Sequence, residues 1–148
     1  MAGLTVTGDV RALAALFSMA KNFRLGLRDG AHMAGQILVR ECQAGMQSAG
    51  GGRIYPGQRR QASAPGGYPA IQTALLYGSI NYRVHGWRSL EFGSSGAFNN
   101  AFDYSIAVHE GTTKMAPRPY LVLTVEKTRD EITRILGDAT WRAMIGGG

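Results

Sequence analysis

Residues 79–93 read Ser79-Ile80-Asn81-Tyr82-Arg83-Val84-His85-Gly86-Trp87-Arg88-Ser89-Leu90-Glu91-Phe92-Gly93. Ile80, Tyr82 and Val84 alternate with Asn81 and Arg83. A period of two puts the apolar side chains on one face of a half-buried strand. His85-Gly86 suits a tight turn, and Trp87 to Gly93 returns as the partner strand. A second alternating run follows, in which Tyr104, Ile106 and Val108 oppose Asp103, Ser105 and Ala107. It predicts a third strand over 103–109 and a small antiparallel sheet.

Upstream of this sheet the period changes. Asp9 can cap a helix, because its carboxylate accepts the first free backbone N–H groups. Val10, Leu13, Phe17 and Ala20 recur at helical spacing, and Asn22 suits a break. Leu27, Ala31, Ala34, Leu38, Cys42 and Gly45 share one face of a second periodic stretch. Helices are expected over 9–21 and 24–47, either separate or as one kinked rod. Gly26, Gly30 and Gly35 each cost a helix up to ~1 kcal/mol unless a close neighbour uses them. Residues 70–78 predict a short helix before the first strand. Downstream, Pro119 suits the first turn of a helix. Leu121, Val125, Ile132, Ile135 and Leu136 then give an apolar face. Thr124, Val125 and Thr128 are β-branched, which leaves a strand open for the start of that segment. Gly137 is a natural helix stop. Residues 138–148 then form a C-terminal tail, with Trp141 and Ile145 as anchors.

Residues 48–70 differ from their surroundings. They carry Gly50-Gly51-Gly52, Pro56-Gly57 and Ala64-Pro65-Gly66-Gly67. Every local signal reads as irregular structure. At over 20 residues the segment is too long for an idle connection, and Tyr55 and Tyr68 argue against simple disorder. The expected whole is one domain over 1–148. Its fold class is α+β, with N-terminal helices and a C-terminal helix packed on a small antiparallel sheet, and with a long Gly/Pro-rich arm over 48–70.

Composition narrows the function. The chain has 148 residues, 45% of them hydrophobic and 18% charged. That is enough apolar material for a core and too little charge for a disordered chain. The single cysteine excludes an internal disulfide framework and a multi-cysteine zinc site. No apolar run approaches the ~20 residues that span a bilayer, and the N-terminus lacks a signal-peptide pattern. A soluble, non-secreted protein without a membrane partner is expected. The net charge of +6 is uneven. Residues 1–100 hold ten bases and four acids, whereas 101–148 hold six of each. From Cys42 to Leu90 there is no acid, only Arg53, Arg59, Arg60, Arg83 and Arg88. Arginine outnumbers lysine 13 to 3, which suits bidentate contacts to carboxylates and phosphates. These arginines interleave with Tyr55, Tyr68, Tyr77, Tyr82 and Trp87. Such a mixture can track a phosphate backbone and stack bases. A small basic nucleic-acid-binding module is therefore the alternative reading, although no DNA- or RNA-binding signature is present.

Catalytic patterns are missing. His32, His85 and His109 fall in different expected elements. His109-Glu110 lacks the second histidine of a zinc-protease motif, and Gly50-Gly51-Gly52-Arg53 lacks the Lys-Ser/Thr that closes a phosphate loop. Cys42 lies on an apolar helix face, where a thiol is inert. No catalytic residue, metal site or cofactor is expected, and the chain reads as a non-enzyme.

Two segments carry a resemblance. One is Gln61-Ala62-Ser63-Ala64-Pro65-Gly66-Gly67-Tyr68-Pro69-Ala70, running on to Thr73-Ala74-Leu75 and Gly78-Ser79-Ile80. The other runs from Tyr104-Ser105-Ile106-Ala107-Val108 through His109-Glu110-Gly111-Thr112-Thr113-Lys114 to Met115-Ala116-Pro117-Arg118-Pro119-Tyr120-Leu121. In order and separation they resemble the neck or tail-completion proteins of lambdoid long-tailed bacteriophages, the tail-component family. The resemblance covers roughly residues 60–136. Ala74, Ser105 and Tyr120 stand where that family usually has glycine, alanine and phenylalanine.

The resemblance implies a structural virion protein at the head–tail interface, in the neck or upper tail, made in the host bacterial cytoplasm. It implies a ring of six or twelve copies between head-completion or connector proteins and the tail-terminator or tail-tube proteins, with genomic DNA passing through the channel. Arg53, Tyr55, Arg59, Arg60 and Tyr68 would then form the arm that reaches a neighbouring subunit. Pro65, Gly66, Glu110, Gly111, Thr112, Arg118 and Pro119 would be architectural.

Overall fold

The computed structural model describes residues 10–54, 56–57, 61–71, 74–94 and 104–146. Six elements follow in order: α1 (Val10–Ser48), α2 (Ala74–Ser79), β1 (Ile80–His85), β2 (Ser89–Ser94), α3 (Tyr104–Glu110) and α4 (Tyr120–Ile145). The class is α+β, as the change of period implies. Two long helices form the frame, and a two-stranded antiparallel hairpin lies against α1. The Asp9 cap falls outside the described residues.

α1 is a single helix of 39 residues with no break at Asn22. At 1.5 Å per residue it is about 58 Å long. Its glycines are contact points. A Cβ on Gly26 would stand 2.8 Å from the Ala139 carbonyl oxygen and 2.8 Å from the Ala143 Cβ. At Gly30 it would come 3.1 Å from both Ala139 and Leu136. Gly35 receives the Tyr82 ring, and Gly45 the Tyr68 ring. The conformational cost of these glycines is offset by the close approach they allow. As the α1 numbers rise, their α4 partners fall, so the two helices run antiparallel. A Lys127–Glu41 ion pair of 2.9 Å fixes the far end of the seam.

The hairpin has the expected strands and the expected faces. Ile80 pairs with Ser94, Tyr82 with Phe92 and Val84 with Leu90. Ile80 is buried and Tyr82 and Val84 are partly buried, whereas Asn81 and Arg83 are exposed. The turn is Gly86-Trp87-Arg88, with Gly86 at φ +63, so Trp87 sits at the tip rather than in the return strand. The short helix begins at Ala74, later than the spacing predicts.

The structure corrects three expectations. Residues 104–110 are helix, not a third strand. Over seven residues the periods 2 and 3.6 fit almost equally well, and Ser105, Ala107 and Val108 are the buried side. The deciding local feature is Gly111. At φ +83 it closes α3 with an N–H bond to the Ala107 carbonyl, 2.9 Å, the geometry of a left-handed helix cap. Gly137 does not stop α4, which continues to Ile145. Packing of Ala139, Thr140 and Ala143 onto Gly26 outweighs the ~1 kcal/mol that one helical glycine costs. The expected tail is therefore helix as far as Ile145, and Trp141 and Ile145 are exposed rather than anchors. Finally, the fully buried residues of α4 are Tyr120, Thr124, Thr128 and Thr140; of the expected apolar face Leu121, Ile132, Ile135 and Leu136 are half-buried, whereas Val125 points outward. The threonine hydroxyls donate to the carbonyls of Tyr120, Thr124 and Leu136 at 2.7–2.8 Å, so they enter the interior without orphaned polar atoms.

The core gathers Cys42 and Met46 of α1, Leu76 of α2, Ile80 of β1, Val108 of α3 and Tyr120 of α4. Burial pushes the Cys42 thiol up to about 11. At neutral pH it is a protonated, inert packing group.

Candidate functional site

The two segments that carry the resemblance are separate in sequence and meet in the fold, through residues 55 positions apart. Arg118 joins them. Its Nε donates to the Ser63 hydroxyl at 2.6 Å, and one terminal nitrogen donates to the Ser63 carbonyl at 3.0 Å. The other terminal nitrogen reaches the Ala116 carbonyl at 3.2 Å. Its backbone N–H bonds the Val108 carbonyl at 3.0 Å, tying the linker back to α3. Beside it, the Gly66 N–H donates to the Pro117 carbonyl at 3.0 Å. A planar guanidinium with several donors in a fork suits this multiple grip, and lysine could not reproduce it.

The neighbouring residues shape the junction. Gly66, at φ +78, turns the chain after the exposed Pro65. Gly111 has no room for a side chain, since a Cβ would stand 2.8 Å from both the Met115 oxygen and the Pro117 nitrogen. Thr112 and Met115 close a small loop, with N–H···O bonds of 2.8 and 3.2 Å. Pro119 precedes the first turn of α4 with φ −77, and its carbonyl accepts from the Leu123 N–H at 3.0 Å. Glu110 is exposed at the end of α3 and makes no ion pair among the described residues.

The arm residues divide. Tyr55, Arg59 and Arg60 lie outside the described residues. Arg53 is exposed, and its carbonyl accepts from the Ala62 N–H at 3.2 Å. With the Gly52 to Ala62 bond of 2.8 Å and the Gly51–Ser63 bridge, this brings residues 50–53 alongside 62–64. Tyr68 turns inward: its ring fills the space at Gly45, and its hydroxyl lies 3.2 Å from Thr124 Oγ1. In this structure Tyr68 therefore fastens the segment to its own domain.

Two surface features went unread in the sequence. One is a basic, aromatic cluster at the hairpin tip. The Arg24 and Arg88 guanidiniums lie 5.4 and 4.9 Å from the Trp87 ring centre. Lys21, Arg24 and Arg28 flank an open, largely apolar groove of about 480 Å³ floored by Phe17, Leu25 and Trp87. Helical spacing along α1 held the signal for the three bases, but only the fold adds the tip of the hairpin. The other is the N-terminal part of α1, where Val10, Leu13, Leu16, Phe17 and Met19 are all exposed.

The histidines are dispersed. His32 lies edge-on to Tyr82, His85 pairs with Glu91 at 2.9 Å, and His109 lies edge-on to Tyr120. The His85 contact holds the Glu91 carboxyl below its usual value. Among the described residues, no three His, Cys, Asp or Glu side chains converge as metal ligands would. Nor, among them, is any helix long and apolar enough to cross a membrane. Compared with known protein families, curated proteins and solved structures, the chain matches none.

Proposed function

We propose that the chain is a structural virion protein of a tailed bacteriophage, acting at the head–tail interface in neck assembly or tail completion. It works as a homo-oligomeric ring of six or twelve copies between head-connector and tail proteins, without catalysis. The observation that carries the reading is the Arg118–Ser63 lock. The two sequence segments behind the resemblance meet in one junction, which supports reading them together. Four of the seven motif residues have a mechanical task there: Gly66 and Gly111 turn the chain, Arg118 clamps, and Pro119 leads into α4. A rigid junction with exposed apolar surface elsewhere suits a part that is completed by its neighbours.

Quantitative mass spectrometry of purified virions tests the reading. Six or twelve copies per particle are expected, and a clean deletion should leave filled heads and tails that do not join. Absence from particles, or normal infectious particles after deletion, overturns it.

The hairpin tip favours a second reading, a basic nucleic-acid-binding module. Lys21, Arg24, Arg28 and Arg88 cluster around an exposed indole. Phosphate contacts would make affinity fall linearly with salt on logarithmic axes, by about 0.7–0.9 per phosphate neutralised. Filter binding across a salt series checks this, and no binding at low salt removes it.

A further inference from the structure

The hairpin lies along α1 and stops before α1 does. The Tyr82 ring sits at Gly35, and the tip residue Trp87 reaches Arg24. Beyond the tip the same line continues as the open groove of about 480 Å³, floored by Phe17, Leu25 and Trp87. From Phe17 to Arg28 it follows roughly three turns of helix, about 16 Å. Lys21, Arg24 and Arg28 succeed one another at spacings of three and four, so they form one row along its edge. Arg88 adds a fourth base at the tip, 4.9 Å from the Trp87 ring centre. All four bases are exposed.

The charge at this groove has almost no counterpart. Residues 10–28 hold four bases and no acid. Among the described residues Lys21, Arg24 and Arg88 make no ion pair, and Arg28 has only a long one, 3.7 Å to the exposed Asp29. An apolar floor edged by cations fits an occupant with apolar side chains and a row of anions beside them. Two observations favour carboxylates on a protein over phosphates on a nucleic acid. Phe17 and Leu25 offer apolar packing, which sugar and phosphate do not use. Arg24 and Arg88 already lie over the Trp87 ring, at 5.4 and 4.9 Å, where a base would have to stack. A guanidinium held over a ring by its face still presents its N–H edge, which forks a carboxylate. The occupant is also a different protein. Glu126, Asp130, Glu131 and Asp138 of α4 are interleaved with Lys127, Arg129, Arg134 and Arg142, and the remaining acids of this chain stand singly. A second copy therefore has no acidic row to offer.

We infer that this groove is the docking site for a helix of another protein, apolar on one side and carrying a row of Asp or Glu beside that side. A helix laid in a groove inserts side chains that recur at three and four residues. Acids one turn apart on such a helix meet Lys21, Arg24 and Arg28, which are one turn apart on α1. Trp87 is the anchor, a large aromatic at the end of the groove where the hairpin forms a wall. Charge complementarity sets the register and the choice of partner, and the apolar floor holds it. The contact does not rest on the virion or the ring proposed above, since it needs only the surface at the hairpin tip.

Selection from displayed random peptides on the full-length protein tests this. Peptides of about 14 residues span the groove as a helix. The enriched sequences are expected to combine Leu, Phe or Trp with Asp or Glu at helical spacing. Trp141→Phe leaves Trp87 as the single tryptophan, and Trp141 is exposed, so the core is untouched. In that background a selected peptide is expected to shift the Trp87 emission to the blue. Reversing Arg24→Glu and Arg28→Glu together should weaken the peptide on the order of tenfold or more. The same peptide with its acids changed to lysine should bind the reversed variant and not the parent. Unchanged circular dichroism and an unreactive Cys42 thiol report that the variant is folded. No enriched peptide, enriched peptides without acids, equal affinity for the reversed variant, or a lysine peptide that the variant does not bind each overturns the inference. Oligothymidine or anionic phospholipid vesicles that displace the selected peptide from Trp87 overturn it as well, and in the first case the nucleic-acid reading stands in its place.

Discussion

Glycine has opposite meanings at two positions of the same helix pair. At Gly26 an added methyl would press on backbone and Cβ atoms of α4 at 2.8–2.9 Å. At Gly137 nothing lies within 4 Å of the Cβ position. Alanine gains up to ~1 kcal/mol of helix propensity at either site. Overpacking a tight contact costs about 1–3 kcal/mol, and the atoms met at Gly26 are mostly main chain that cannot swing away. Gly26→Ala is therefore expected to lose about 1–2 kcal/mol net, and Gly137→Ala to gain about 0.5–1 kcal/mol. Urea midpoints of the two variants check this, and equal signs would show that the α1–α4 approach is looser than the structure has it. At the same scale the buried threonines of α4 explain why part of its inward face went unread. A hydropathy pattern counts Thr124 and Thr128 as polar, yet their hydroxyls are satisfied by carbonyls one turn back.

Among the elements, the linker between α3 and α4 behaves as a clamp. Its grip on residues 61–67 consists of the Arg118 bonds to Ser63 and the Gly66–Pro117 backbone bond. Charge-assisted bonds of this kind contribute about 1.5–3 kcal/mol when partly buried. Arg118→Ala is expected to leave α1 and α4 paired, because none of their contacts pass through it. It should nevertheless free residues 49–67 to open locally. Limited proteolysis should cut that segment much faster in the variant while circular dichroism stays the same. Loss of helix signal would mean that the clamp supports the whole fold. α3 teaches a related lesson. Alternation over seven residues was no guide, but a glycine directly after the run, suited to a left-handed cap, pointed to the helix.

For the molecule as a whole, electrostatics is one-sided. Apart from the Glu41–Lys127 pair, little opposite charge crosses between the two long helices. The Lys127 hydrogen bond and charge hold the Glu41 carboxyl below its usual value. A depressed acid stabilises the fold fully above its unfolded value of 4.5, and that contribution is lost as pH falls through the lower folded value. Because both side chains are partly solvated, the effect is under about 1 kcal/mol. Lys127→Met is thus expected to lower the melting temperature slightly at pH 7 and to match wild type near pH 3. A gap that persists at pH 3 would mean the lysine acts through packing of its stem. Among the described residues, Lys21, Arg24, Arg28 and Arg88 gather positive charge at the hairpin tip and along α1.

What the sequence by itself determined is the class of the fold and its local geometry. The hairpin was legible because six alternating residues and a Gly86 turn leave few other conformations. The long helices were legible because their apolar positions repeat over many turns. Nothing in the sequence showed that Arg118 would bond Ser63, 55 positions earlier. The tertiary structure alone decided the rest. Whether Gly137 ends a helix depends on what packs beyond it. Whether Tyr68 reaches outward or inward depends on a notch at Gly45. Whether the start of α1 is core or free surface depends on where α4 stops. In each case the residue's own preference is worth about 1 kcal/mol, and a contact from a distant segment outweighs it.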